Sequence, residues 1–460
     1  MTLIKSISGI RGTIGGKVNE GLTPVDVVRF TAAFGTWLIK RNPKNKTIVI
    51  GRDARISGPM VSQLVCSTLQ ALGLNVIDLG LSTTPTVELA VPNEKAIGGI
   101  ILTASHNPKQ WNALKLLNGE GEFISGKDGS EVLALADKEA FNFSGVDDLG
   151  QYKQDSSYFD FHINHVQNLR GVDFDLVKKK KFKIVVDGVN SSGGIIVPQL
   201  LKAMGVEVVE LYCEPTGHFP HNPEPLPENI TAICQEVVKT NADLGIIVDP
   251  DVDRLAFVDE QGQPFGEEFT LVAVADYVLG LEKGNAVSNL SSTKALKEIV
   301  EKHGGKYFAS AVGEVNVVTK MKENNALIGG EGNGGIIYPE SHYGRDALVG
   351  IGLFLTHLAI FGKSTSMLRA KYPNYVIAKN KISLTDGIDV DGILKKLKKK
   401  YLKEQIDTTD GVKIIFAEGE WVHLRKSNTE PIIRIYAESN TETQSESLGQ
   451  KLISDIKELM

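Results

Sequence analysis

Three aspartates at alternate positions, in Asp249-Pro250-Asp251-Val252-Asp253-Arg254, carry the clearest chemical signal in this chain. In an extended segment, alternate side chains project to one side. Three converging carboxylates repel one another unless a hard cation lies between them. The runs before (Leu244 to Val248) and after (Leu255 to Val258) read as buried strands, which argues against a solvated acidic turn. A calcium loop of EF-hand type would accept Glu260 at its twelfth position. It would need a glycine where Arg254 stands, and helices where strands are expected.

A second segment supplies a group for such a cation to serve. The apolar run Ile97 to Leu102 is followed by Thr103-Ala104-Ser105-His106-Asn107-Pro108-Lys109. Asn107-Pro108 forces a turn, because proline fixes its own φ and keeps the preceding residue out of helix. Ser105 is thereby presented at the carboxyl edge of a sheet, where α/β folds place ligands. On composition alone an ordinary turn fits as well. A serine hydrolase does not: Gly-x-Ser-x-Gly is absent, and adjacent Ser-His side chains are expected to point apart. A phosphorylated serine fits better. It would carry nearly two negative charges, with His106 and Lys115 as nearby donors, and Mg2+ is the natural cation beside a phosphate.

Three weaker segments complete the set. Arg425-Lys426-Ser427-Asn428-Thr429-Glu430-Pro431, with Arg434 beyond, offers cations, hydroxyls and an amide for a phosphate cup, or else an ordinary polar loop. Ser8-Gly9-Ile10-Arg11-Gly12-Thr13 places an arginine on a glycine loop. Gly329-Gly330-Glu331-Gly332-Asn333-Gly334-Gly335 leaves its backbone open to a ligand, but it is neither a dinucleotide fingerprint nor a Walker loop.

The elements that must hold these groups follow from a recurring pattern. Apolar strands end in aspartate-bearing turns at Asp53, Asp187 and Asp249, and amphipathic helical stretches follow the first two, from Met60 to Leu72 and Ile195 to Met204. Strand, turn, helix and strand again predicts sheets with crossover helices. The polar stretch from about Asp147 to Ser157 reads as a linker, and a second break falls near Lys371 to Asn374. Beyond it, Val412 to Ala417, Trp421 to Arg425 and Ile432 to Glu438 read as strands of an α+β module closed by a helix from about Thr441.

Length and composition bound the rest. With 460 residues the chain should form about three domains, two or four being acceptable. A net charge of -6 argues against nucleic acid as a partner, and the lysine runs 178–181 and 395–400 read as solvated faces. Cys66, Cys213 and Cys234 are dispersed, which fits reduced thiols in a cytoplasmic protein. No leader and no stretch of the roughly 18 apolar residues of a membrane helix is seen.

Taken in order, the Ala-Ser-His-Asn-Pro, Asp-x-Asp-x-Asp-Arg, glycine-rich Glu and Arg-x-Ser-Asn-Thr-Glu-Pro segments resemble the α-D-phosphohexomutase superfamily over essentially the whole chain. The resemblance implies three α/β domains with mixed sheets plus a C-terminal α+β domain around a central cleft, here drawn at 1–150, 151–255, 256–372 and 373–460. It implies that Ser105 is the phosphoserine and that Asp249, Asp251 and Asp253 hold Mg2+ together with its phosphate. Arg11, Lys115 and His106 would serve the reacting phosphate, with Lys115 as general acid or base. Arg254, Glu331 and Asn333 would contact substrate, while Arg425, Ser427, Asn428, Thr429 and Arg434 would grip the phosphate that stays.

One departure stands out. Many relatives read Glu-x-Ser-Gly-His where this chain has Glu331-Gly332-Asn333-Gly334-Gly335, so a histidine role there is lost. The loop Val312-Gly313-Glu314-Val315-Asn316-Val317 is similar to that of phosphoglucosamine mutases; Glu314 would favour an ammonium at C2, or would merely cap the next helix. The expected activity is interconversion of glucosamine 6-phosphate and glucosamine 1-phosphate by a monomer or homodimer, with a hexose 1,6-bisphosphate as activator. Glucose and mannose phosphates are the alternative substrates. A sugar-phosphate-binding relative and a magnesium-dependent phosphatase with Asp249 as nucleophile are the more distant readings.

Overall fold

The computed structural model describes residues 2–6, 9–383, 389–416, 419–426 and 432–459. The chain divides into two compact units. One comprises Met1–Thr270 with Asn333–Ser366, the other Leu271–Gly332 with Met367–Met460.

The first unit holds two sheets. The larger joins β1 (Leu3–Ser6), β2 (Gly9–Thr13), β3 (Thr47–Arg52), β4 (Asn75–Leu81), β5 (Gly99–Leu102), β6 (Trp111–Leu117) and β7 (Tyr152–Gln154) in the order β1-β2-β6-β5-β3-β4-β7. The strands β5, β3, β4 and β7 run parallel, and β1, β2 and β6 close the other edge antiparallel. Every residue of β5 is buried, as expected of a strand covered on both faces. Helix Pro24–Arg41 begins in a capping box between Thr23 and Asp26, with Pro24 at its first position. It packs with helix Gly58–Ala71 in a core built from Phe30, Phe34, Val61, Val65 and Leu69 against Ile48, Ile50, Ile100 and Leu102.

The stretch read as a linker turns out to carry β7. Its Tyr152, Lys153 and Gln154 are all exposed, so this edge strand shows no apolar alternation and left no strand signal in the sequence.

The second sheet joins β8 (Lys183–Asp187), β9 (Glu207–Leu211), β10 (Leu244–Val248) and β11 (Leu255–Asp259) in the order β11-β10-β8-β9. It is parallel apart from the β10–β11 hairpin. Helices Gly193–Ala203 and Thr231–Thr240 are its crossovers.

In the second unit β12 (Asn285–Asn289), β13 (Tyr307–Ser310) and β14 (Ala326–Glu331) form parallel pairs about β12. A short strand, β15 (Gly335–Ile337), belongs to the first unit. The C-terminal sheet is wholly antiparallel: β16 (Val376–Ser383), β17 (Gln405–Asp407), β18 (Val412–Ile415), β19 (Trp421–Lys426) and β20 (Ile432–Ser439) in the order β16-β20-β19-β18-β17. Helices Val390–Lys400 and Glu442–Leu459 bury Ile393, Leu397, Leu452 and Ile456 in its core. The lysines of Val390–Lys400 sit on its solvent side, apart from the buried Ile393, Leu394 and Leu397. The chain is thus three α/β domains followed by an α+β domain. Among the described residues no helix is long and apolar enough to cross a membrane.

Candidate active site

The β10–β11 hairpin carries the acidic segment at its tip, residues 249–254. Asp249, Asp251 and Asp253 are completely buried, and one carboxylate oxygen from each lies within 4.8 Å of the others. Their convergence does not come from alternation along a strand. The chain turns here, with Val252 in the left-handed region at φ 63°, and the turn folds the three side chains together.

Asp249 is engaged at both carboxylate oxygens, Asp251 and Asp253 at one each. Asp249 Oδ1 accepts the backbone N–H groups of Asp253 and Arg254, both at 3.1 Å, and Oδ2 accepts the Ser105 hydroxyl at 2.8 Å. Asp251 Oδ2 accepts from Lys115 Nζ at 2.6 Å and from the Thr84 hydroxyl. Asp253 Oδ2 accepts from Lys115 Nζ at 3.3 Å and Arg345 Nη2 at 2.7 Å. Asp251 Oδ1 and Asp253 Oδ1 are buried without a hydrogen-bond partner. Two orphaned carboxylate oxygens beside Asp249 are an oxygen-only donor set that suits a hard divalent cation. Burial and the neighbouring Asp253 and Asp251 hold the Asp249 carboxyl well above its usual range, a repulsion that a cation would relieve. Glu260, the twelfth position of the calcium-loop alternative, is instead bonded to Ser366.

Ser105 sits in the turn between β5 and β6, only 4% exposed and at φ 50°. That conformation brings its hydroxyl to 3.4 Å from His106 Nδ1, so the two side chains approach one another instead of pointing apart. Burial, and then the positive charges of Arg254 and Arg11, hold the His106 pKa well below its usual range, which favours the neutral ring. Lys115 projects from β6, where residues 112–117 are all buried. Burial opposes its charge, but the Asp251 and Asp253 carboxylates outweigh it and raise its pKa. Arg11, on β2, donates from Nη1 to Asn107 Oδ1 at 3.0 Å. Arg254 pairs with Glu224 through Nη1 and Oε1. The first unit therefore gathers Arg11, Ser105, His106, Lys115, Asp249, Asp251, Asp253 and Arg254.

In the second unit Glu331 ends β14. Its Oε1 accepts from Asn289 Nδ2 at 2.9 Å and from Gly313 N at 3.0 Å, which ties the Gly313-Glu314 loop to it. Glu314 is buried in the first turn of helix Glu314–Glu323, and Gly313 is the N-cap. Arg425 on β19 and Arg434 on β20 are direct cross-strand partners. Like charges placed so destabilise a sheet unless an anion joins them. Burial and Arg434 lower the Arg425 pKa against the pull of Asp410. Ser427, Asn428 and Thr429 lie outside the described residues.

Asn333 falls in the first unit, its Oδ1 accepting from Gly335 N at 3.3 Å. A Cβ at Gly335 would lie 2.4 Å from Arg345 Cδ, so Arg345, which reaches Asp253, takes the space a side chain at Gly335 would need.

Several contributing residues carried too little local pattern to be singled out: Thr84 at a helix start, Glu224 in a proline-rich loop, Arg345, Asn289, and Arg55 beneath the serine turn. Only Arg55 left a usable trace, since it follows by two residues the aspartate just after β3.

Comparison with known proteins agrees with this layout. Successive stretches match the models for phosphoglucomutase/phosphomannomutase α/β/α domain I (residues 4–143), domain II (160–262), domain III (267–375) and the C-terminal domain (381–453). A phosphoglucomutase/phosphomannomutase of Thermococcus kodakarensis is 36% identical over 96% of this chain and 98% of its own. A phosphoglucosamine/phosphogalactosamine mutase of Sulfurisphaera tokodaii is 32% identical over 98% of each chain. The crystal structure of a phosphoglucomutase/phosphomannomutase family protein from Burkholderia thailandensis superposes with a TM-score of 0.86 at 25% identity, covering 99% of this chain and 97% of the other. With all four domains matched in order and relatives aligned from end to end, the chain belongs to the phosphoglucomutase/phosphomannomutase family of phosphohexomutases, enzymes that transfer a phosphoryl group.

Proposed function

We propose that the protein moves a phosphoryl group between C6 and C1 of a hexose through Ser105, and that glucosamine 6-phosphate and glucosamine 1-phosphate are its preferred pair. One observation carries the reading: the Ser105 hydroxyl lies 2.8 Å from Asp249, beside two buried carboxylate oxygens that have no hydrogen-bond partner. A serine so placed can share a divalent cation with the aspartates once phosphorylated. Mg2+ held by Asp249, Asp251 and Asp253 would offset the charge of the phosphoryl group during transfer.

The chain's own groups then divide the work. A sugar hydroxyl attacks the phosphorus of phospho-Ser105; the bond from phosphorus to Oγ breaks as the bond to the sugar oxygen forms. The hydroxyl's proton must reach the departing Oγ. His106, its Nδ1 3.4 Å from Oγ, is placed to relay it, Nε2 taking up the hydroxyl's proton as Nδ1–H gives its own to Oγ, so the ring begins and ends neutral. Lys115, held charged, and Arg11 face the transferring oxygens. The resulting hexose bisphosphate turns over and returns its other phosphate to Ser105. Arg254, Glu331 and Asn333 would bind the sugar. Arg425 and Arg434, with Ser427, Asn428 and Thr429, would hold the phosphate that stays. The four domains are taken to meet near residues 150, 255 and 372.

The amino-sugar preference rests on Glu314, whose loop is tied to Glu331, and a relative named as a phosphoglucosamine/phosphogalactosamine mutase supports it. Glucose and mannose phosphates are the second reading, supported by the relative from Thermococcus kodakarensis. The test is kcat/KM for glucosamine 6-phosphate, glucose 1-phosphate and mannose 1-phosphate in parallel, with Mg2+ and a trace of hexose 1,6-bisphosphate. Preference for the neutral sugars refutes the substrate assignment. Ser105→Ala should interconvert none of them; near-normal turnover in that variant refutes the mechanism, and steady release of inorganic phosphate would point to a phosphatase.

A further inference from the structure

We infer that Arg55 is the positioning residue that aims Ser105, an inference that rests on Ser105 being the phosphoryl carrier. Arg55 is completely buried, yet all five of its guanidinium hydrogens have acceptors. Nε donates to Asp53 Oδ2 at 3.0 Å. Nη1 donates to the carbonyls of Pro108 at 2.8 Å and Trp111 at 3.0 Å. Nη2 donates to the carbonyl of Asn107 at 2.6 Å and to that of Ser105 itself. Four of the five bonds thus end on main-chain oxygens of residues 105–111, the turn that carries the serine and the first residue of β6. The Phe219 ring covers the guanidinium at 5.1 Å.

A second set of bonds closes the arrangement into a ring. The Ser105 N–H donates to Thr103 Oγ1 at 3.0 Å, and Thr103 Oγ1 donates to Asp53 Oδ2 at 2.7 Å, the oxygen that Arg55 Nε also meets. The peptide groups on both sides of Ser105 are therefore anchored, one through Thr103 and the other through Arg55. This holds a non-glycine residue at φ 50°, a left-handed conformation that is strained when unsupported. With both peptide planes held, the direction of the Cα–Cβ bond is set, and Oγ is delivered to Asp249. The carrier has to present the same geometry when it gives up a phosphoryl group and when it takes one back, so a turn that relaxed between the two states would slow both. A lysine at position 55 would keep the charge but not the planar fork needed to reach several carbonyls.

The test uses the full-length enzyme with Mg2+ and three variants: Arg55→Lys, Thr103→Val and Ser105→Ala. Two quantities are read besides the fold by circular dichroism: kcat and KM separately, and the rate at which glucose 1,6-bisphosphate phosphorylates Ser105 of the dephosphorylated enzyme, followed by intact mass. Folded Arg55→Lys should lose about 100-fold in kcat, the scale of a 1 Å misplacement, with KM held within about threefold. Serine phosphorylation should slow by a similar factor. Thr103→Val removes the other anchor without stranding a buried charge, and should show the same split at about tenfold, which keeps the test decisive if Arg55→Lys fails to fold. Wild-type kcat in folded Arg55→Lys, or in Thr103→Val where Arg55→Lys does not fold, beside an inactive Ser105→Ala, overturns the anchored turn and leaves the carrier intact. Turnover by Ser105→Ala overturns the carrier and this inference with it.

Discussion

Replacing Lys115 with methionine tests the charge balance of the site through stability, independently of turnover. The ammonium is 5% exposed and lies 2.6 Å from Asp251 and 3.3 Å from Asp253, both completely buried. Methionine fills similar volume, so the main change is that buried carboxylates lose their cation. Removing one partner of a buried ion pair costs about 3–5 kcal/mol. For a unit of roughly 300 residues, about 2 °C of melting temperature corresponds to each kcal/mol, which predicts a fall of about 6–10 °C in the first unit without divalent metal. The more negative site should then bind metal more strongly. At 100 times its dissociation constant Mg2+ contributes about 2.7 kcal/mol, so it should recover much of the loss and shift Lys115→Met further than it shifts the wild type. Scanning calorimetry with and without Mg2+ gives all four melting temperatures. The double variant Lys115→Met/Asp251→Asn, which removes the ammonium and the nearer of its two carboxylates, should melt higher than Lys115→Met alone. The reasoning is refuted if the metal-free single variant melts within about 2 °C of wild type, or if Mg2+ shifts both proteins equally.

Three further outcomes are expected. Gly335→Ala should displace Arg345 from Asp253, lowering kcat/KM about tenfold; Arg345→Ala should give a similar loss, and the double variant no further loss, a coupling that kinetics on the three variants checks. Asn289→Ala removes the amide that donates to Glu331, and should raise KM for the sugar phosphate about tenfold while kcat changes little. Burial pushes the His423 imidazole down to about 4, below the value near 6.5 of an unfolded chain. The unfolded state therefore binds this proton more readily. The stability involved is complete above pH 6.5 and is lost as pH falls toward 4, about 3 kcal/mol in all for the second unit. His423→Gln should flatten that part of a calorimetric pH profile.

Elements with a strong periodic signal are legible in the amino-acid sequence. The hairpin strands β18 and β19, the helices following β3 and β8, and the closing helix Glu442–Leu459 all lie where apolar spacing places them. β7 is not legible, because an exposed edge strand needs only backbone pairing and shows no apolar alternation. The active-site chemistry divides in the same way. Carboxylates spaced two apart, a serine on a proline-bounded turn and a lysine in a buried strand declare themselves locally, since those residue types in those places are costly without a partner.

What each partner is, and how it is aimed, was decided only by the fold. Asp249 lies 144 residues from Ser105 and Asp251 lies 136 from Lys115, separations over which a sequence has no period to read. The acidic residues converge by a turn at Val252, and Ser105 meets His106, because of left-handed backbone conformations that residue type does not announce. The sequence by itself thus determined the family of chemistry and the kind of element each group sits on, because composition and local spacing set burial. The tertiary structure alone decided that Arg55 lies beneath the serine turn and that Arg345 crosses Gly335, because hydrogen-bond geometry exists only once distant segments are packed together.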